Sequence, residues 1–152
     1  MEEEQVQTSP PAEEAAEDLS VLLEQLSRGM QQQRRFVAAY GAMLSAVPTR
    51  EDRALLQAMQ REERRHYYLM EGILEELGGV PHTPAGTSFS MPKQYMTMLQ
   101  VMLCDKLETI DFYEQMEQSF PCAKHRELFA IVVGDQKEQA RILATMYRKN
   151  EG

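Results

Sequence analysis

The sequence predicts an all-α protein of four helices, on three observations. Apolar residues recur at helical spacing over four long stretches, and the period-two alternation of a half-buried strand is absent. Prolines and glycines fall between those stretches, at Pro48, Gly78-Gly79 and Pro121, where a helix has to stop. The two halves of the chain also resemble each other at a constant offset of 73 residues. A chain of 152 residues can bury one sizeable core, so a single four-helix domain is expected.

Met1 to Asp18 is acidic, contains Pro10 and Pro11, and is poor in large apolar residues; it reads as a disordered tail. The first helix is expected from about Asp18 to Ala46, with Leu22, Leu23, Leu26, Met30, Val37, Tyr40 and Leu44 on one face. Pro48 closes it and Thr49 is the natural N-cap of the second helix, about Arg50 to Leu77, which ends at Gly78-Gly79. Ser90 and Pro92 suggest the N-cap and first turn of a third helix reaching Ser119. Pro121 interrupts, and a fourth helix is expected from about Ala123 to Lys149.

The repeat pairs Pro48 with Pro121, Tyr40 with Tyr113, Met43 with Met116, Leu26 with Leu99, Leu55 with Leu128 and Glu62 with Asp135. Conservative pairs such as Val37 with Ile110 and Leu56 with Phe129 keep the same offset without a gap. Two helical hairpins of common ancestry are therefore expected, each antiparallel across its short proline turn. The segment 78–91 between them can extend to roughly 46 Å at ~3.3 Å per residue. That just matches the roughly 42 Å of a second helix of about 28 residues. A crossover running back along the bundle is thus expected.

Composition limits the function. The chain has 24 acidic and 16 basic residues, a formal charge of −8, which argues against nucleic acid as a partner. No apolar run approaches a membrane span and no signal-peptide pattern opens the chain. Cys104 and Cys122 form neither a CxxC pair nor a disulfide framework, as expected of reduced thiols in a cytoplasmic protein.

The stretch of greatest chemical interest is Gln60 to Leu77. Glu63 and His66, three residues apart, project from the same helix face as Leu56, Met59, Met70, Ile73, Leu74 and Leu77. A carboxylate and an imidazole inside an apolar stripe are costly to bury without a metal, a counter-charge or hydrogen bonds. This ExxH, on the second helix of a hairpin with a crossover to follow, resembles the ferritin-like superfamily and its small rubrerythrin-type members, over about Leu19 to Asn150. The segment Asp105 to Tyr113 is similar to the family's helix with a glutamate seven residues before a tyrosine, and Asp135 to Arg141 to its second ExxH segment. The resemblance implies a four-helix bundle in which each hairpin contributes one glutamate and one ExxH to two iron ions.

Residue by residue, that ligand set is broken. The glutamate seven before Tyr40 is Gln33, and its mate seven before Tyr113 is Lys106. Glu63 and His66 remain, but the second ExxH has become Gln136 and Gln139. An ammonium at a bridging-carboxylate position opposes a metal, whereas Lys106 facing Glu63 would balance charge with no ion at all. The expectation is a vestigial centre of Gln33, Glu63, His66, Lys106, Gln136 and Gln139, flanked by Tyr40 and Tyr113, with Lys106 and Glu63 in ion-pair reach and no cofactor. The alternative is a metal-binding oxidoreductase or iron-handling protein holding iron or manganese through Glu63, His66 and nonstandard ligands.

Other features are weaker. Met91, Met96, Met98 and Met102 offer thioethers to copper(I), but do not share one helix face and suit core filling. The acidic runs Glu71, Glu75, Glu76 and Glu108, Asp111, Glu114, Glu117 read as solvated faces, with a relocated metal at Glu108 or Asp111 as their chemical reading. His82 and His125 lack a ligand pattern, and Tyr40 and Tyr113 are expected to pack with their hydroxyls bonded. The sequence thus favours a non-catalytic bundle acting by assembly or partner binding, with a homodimer implied by the resemblance.

Overall fold

A computed structural model describes residues 12–80 and 90–151. Its elements are α1 (Ala12–Leu44), α2 (Arg50–Glu76), α3 (Tyr95–Ser119) and α4 (Ala123–Glu151), with no strand among the described residues. α1 packs on α2 and α3, and α4 packs on α3 and α2. The start of α1 (Leu22, Leu26) shares a cluster with the end of α3 (Tyr113, Met116, Phe120), and its end (Tyr40, Met43) shares another with the start of α3 (Met98, Leu99). α1 is therefore antiparallel to α3 as well as to α2, which makes α2 and α3 parallel. Parallel helices require a connection that returns along the bundle; its middle, 81–89 with His82, lies outside the described residues. No described helix is long and apolar enough to cross a membrane.

Local chemistry explains most boundaries. Thr49 Oγ1 accepts the Asp52 amide at 3.2 Å, the N-cap of α2. Gly78 takes φ +82°, and the amides of Gly78 and Gly79 close back on Glu75 and Leu74 at 3.0 and 2.9 Å, a left-handed stop open to glycine. A Cβ on Gly79 would lie 2.6 Å from the Leu74 side chain, so both glycines of the pair are needed.

Three expectations are corrected. Residues 12–18, expected in a tail, belong to α1, which is described from Ala12; the rest of that expectation, residues 1–11, lies outside the described residues. Residues 12–18 are exposed, so their helix rests on alanine and glutamate propensity and on Glu13 and Glu14 at the positive end of the helix dipole. α3 begins at Tyr95, with Gln94 and not Ser90 at the cap and no side-chain cap bond. Tertiary contacts set this start: Tyr95 OH donates to Asp52 at 3.3 Å, and Met98 and Leu99 enter the core one turn later. The buried face of α1 runs through Phe36, Ala39 and Met43, leaving Val37 and Leu44 at its flank.

Two apolar clusters fill the bundle ends. One holds Leu22, Leu26, Met70, Ile73, Tyr113, Phe120 and Phe129, the other Phe36, Tyr40, Leu56, Met59, Leu99, Met102 and Leu143. Met98 and Met102 are buried and Met91 and Met96 pack against the second cluster, so the four serve as core. The clusters are separated by a layer of buried polar side chains.

Candidate functional site

That layer is made of Gln33 from α1, Glu63 and His66 from α2, Lys106 from α3, and Gln136 and Gln139 from α4, all buried. Each lies on the inward face of its helix among residues of the apolar stripe, so the packing that buries the stripe also brings the six together.

Glu63 is the acceptor at the centre. Its Oε2 takes hydrogen bonds from Gln33 Nε2 at 2.6 Å and Gln136 Nε2 at 2.9 Å; its Oε1 takes them from Gln136 Nε2 and Gln139 Nε2, both at 2.7 Å. Lys106 Nζ stands 3.4 Å from the same Oε1, with both side chains fully buried, and donates to Gln136 Oε1 at 2.6 Å. The ammonium also sits 3.7 Å above the centre of the Phe36 ring and 5.2 Å from that of Tyr40, where ring quadrupoles replace part of its lost hydration. Tyr113 OH donates to Gln33 Oε1, and Tyr40 OH to Gln139 Oε1, each at 2.6 Å. These hydroxyls fix the two amides so that their NH2 groups face Glu63.

The electrostatics follow from burial and pairing. Burial alone pushes the Glu63 carboxyl up, but Lys106, then His66 and Gln136, overcome it and hold the group down at about 2. Burial pulls Lys106 down and Glu63 opposes the pull, leaving it at about 8. The pair is therefore charged at neutral pH. Burial, with Glu63 second, raises both Tyr40 and Tyr113 well above the ordinary phenol, so they stay donors.

His66 faces two ways. Its Nδ1 is 3.4 Å from Glu63 Oε1, and its Nε2 is 2.8 Å from Asp135 Oδ2 on α4. Burial lowers its affinity for a proton, but Glu63 and Asp135 together raise it above the ordinary imidazole. Asp135, Glu62 and Phe36 were not singled out by sequence. The signal for the first two was the repeat pair Glu62 and Asp135, each one residue before a centre position. Their contacts also match at that offset: Gln139 Nε2 donates to Glu62 Oε1 at 2.9 Å, as His66 meets Asp135. Lys106 on Gln136 and Gln33 on Glu63, both 2.6 Å, are a second such match.

A third match lies at the bundle ends. Asp52, fully buried, receives Lys149 Nζ at 2.6 Å and Asn150 Nδ2 at 3.2 Å. At the same offset, buried His125 meets Glu76 at 2.6 Å. The acid and base have exchanged places between the two pairs. Of the acidic runs, Glu76 has this partner and Glu114 pairs with Lys137 at 3.1 Å.

Solved structures give the architecture its name. A ferritin-like, diiron-carboxylate protein from Bacillus anthracis str. Ames superposes with a TM-score of 0.74 at 18% identity, over 86% of this chain and 97% of that one. The fold is ferritin-like. A two-domain protein from Anabaena variabilis, with DJ-1/ThiJ/PfpI-like and ferritin-like domains, matches at a TM-score of 0.72 and 18% identity, over 88% of this chain and 37% of that one. No family model and no curated protein matches the chain. Within this ferritin-like bundle, the buried layer does not suit a dinuclear ion pair. Amide NH2 groups and an ammonium are donors, and they converge on both oxygens of the one central carboxylate, whereas two divalent ions need several anionic oxygens.

Proposed function

We propose that this chain is a ferritin-like bundle whose dimetal centre has been replaced by a buried ion-pair core, and that it works through assembly or partner binding, without di-iron chemistry. The observation that carries this reading is the Lys106 ammonium 3.4 Å from Glu63 and 2.6 Å from Gln136. A fixed positive charge there repels a cation and neutralises the carboxylate that would hold it. Gln33, Gln136 and Gln139 complete the exchange by filling the remaining acceptor positions. The matching contacts at an offset of 73 residues support two hairpins of one ancestry, so the six positions descend from one symmetric site. By resemblance we place the chain in homodimers, and by its cysteine usage in the cytoplasm.

The test is anaerobic loading with ferrous ion, followed by oxygen. The reading requires that two ions per chain are not retained and that oxygen uptake stays at the rate of free iron in buffer. Two tightly held ions per chain would sink it in favour of an iron-handling oxidoreductase built on Glu63 and His66. Sedimentation equilibrium checks the assembly: a monomer at all concentrations would remove the homodimer.

A further inference from the structure

Beside the centre lies a second group with a different character. Among the described residues, Glu62, His66 and Asp135 bring one ligand-capable atom each to within 4.8 Å of one another. We propose that these three side chains bind a single divalent first-row cation, of the zinc or manganese kind, with water completing its coordination. The site goes beyond the reading of the centre and is compatible with it. His66 alone occupies a position that the resemblance assigns to a ligand, and it turns Nε2 toward Asp135 and away from Glu63.

Four features support a cation here. The donors are two carboxylates and an imidazole, a set that suits zinc, manganese or ferrous ion and balances a double positive charge. Such ions hold oxygen and nitrogen at about 2.0–2.2 Å, so ligand atoms opposite one another are roughly 4.4 Å apart at most. The group needs only a small closing movement, which its carboxylates can make, being 28% and 37% exposed while His66 is 4% exposed. That exposure also gives the ion an entry and leaves room for water. Finally, the group is held from behind. Gln139 Nε2 fastens Glu62 at 2.9 Å, and Glu63 and Gln136 face His66 Nδ1. Nε2 lies 2.8 Å from Asp135 Oδ2, so an ion binding here would displace the proton shared between them. Gln136 Nε2 at 3.2 Å and Glu63 at 3.4 Å hold the Nδ1 side of the ring, the kind of outer support that orients a metal-bound histidine. The polar layer that does not suit two metals at the centre thus backs the ligand for one metal beside it.

The experiment uses the full chain, stripped with a chelator and titrated with Zn2+ by calorimetry and with Co2+ by visible absorption. One ion per chain is expected, with cobalt bands of an oxygen- and nitrogen-ligated ion. Asp135→Asn and Glu62→Gln should each weaken binding tenfold or more while leaving helix content unchanged, since both side chains are half-exposed. Glu108→Gln and Asp111→Asn, on the exposed face of α3, should leave it unchanged. Absence of binding to the wild-type chain, or one-ion binding that survives both Asp135→Asn and Glu62→Gln, overturns the site. Two ions that survive both substitutions also overturn it, and they overturn the reading of the centre with it.

Discussion

Glu63 and Lys106 carry opposite charges into a layer where neither meets water, so each is the other's counter-charge while the glutamine amides and the Phe36 ring replace their hydration. Lys106→Ala removes the counter-charge of the buried Glu63 and should cost about 3–5 kcal/mol in urea unfolding. Lys106→Met combined with Glu63→Gln removes both charges and should cost clearly less than the two single changes summed, a coupling that the double-mutant cycle reads directly. Acid tells the same story. Glu63 titrates at about 2 in the folded chain against an ordinary 4.5, so the unfolded chain binds the extra proton between those values. Its stabilisation is complete above about pH 4.5 and is lost as pH falls toward 2, a contribution on the order of 3 kcal/mol. His66 has the opposite sign: raised in the folded state, it stabilises below the ordinary imidazole range and loses that contribution as pH rises through its folded value. Melting curves with chelator present, wild type against Glu63→Gln, should show the acid limb flattened in the variant. The six centre positions could be located in sequence because the resemblance supplies the glutamate-before-tyrosine and ExxH positions and the offset of 73 carries each to its mate. Phe36 and Asp135 were not, because the lysine-on-ring contact and the histidine–aspartate contact join residues on different helices whose faces only packing reveals.

At the scale of the helices, the sequence displayed the boundaries set by local chemistry better than the one set by packing. Thr49 and Gly78-Gly79 act through hydrogen bonds and dihedrals within a few residues, so their effect is readable locally. The beginning of α3 is not, because Tyr95 is held by Asp52 from another hairpin and no cap side chain at Gln94 marks the turn. Asp52 therefore fastens three elements: it lies in the first turn of α2, accepts Tyr95 from α3, and accepts Lys149 and Asn150 from the last turn of α4. Asp52→Ala strands these donors and should destabilise by about 1–3 kcal/mol. It should also raise amide exchange in the last turn of α4 before the rest of the helix. Exchange that rises evenly along α4 would mean that the contact does not anchor that end.

At the scale of the whole bundle, the helices already present the centre positions in a symmetric set. Gln33→Glu, Lys106→Glu, Gln136→Glu and Gln139→His together would place four carboxylates and two imidazoles in the layer. Without metal the crowded carboxylates repel, raising some of their pKa values and lowering the melting temperature at neutral pH. Ferrous or manganous ion should then bind and restore stability in proportion to its concentration. A folded quadruple variant that takes up neither ion would show that the four positions do not face one another as ligands.

The core on either side of that layer is rich in methionine: Met30, Met43, Met59, Met70, Met98, Met102, Met116 and Met146 are all buried. Unbranched thioether side chains refill gaps easily, so they tolerate one hairpin sliding along the other. A slip of one helical turn is about 5.4 Å. It would trade methionine for methionine or leucine at modest cost, yet move Lys106 off Glu63 and bury both charges alone. Choosing one alignment among several compact ones then falls to the polar contacts between the hairpins, with the ion pair at the centre as a pin between two greased plates and the Asp52 and Glu76 contacts at the ends. A chain carrying Lys106→Met and Glu63→Leu should keep its far-UV helix signal while its near-UV tyrosine signal and side-chain NMR lines blur. Sharp lines in that variant would assign the alignment to packing and the remaining contacts between the hairpins.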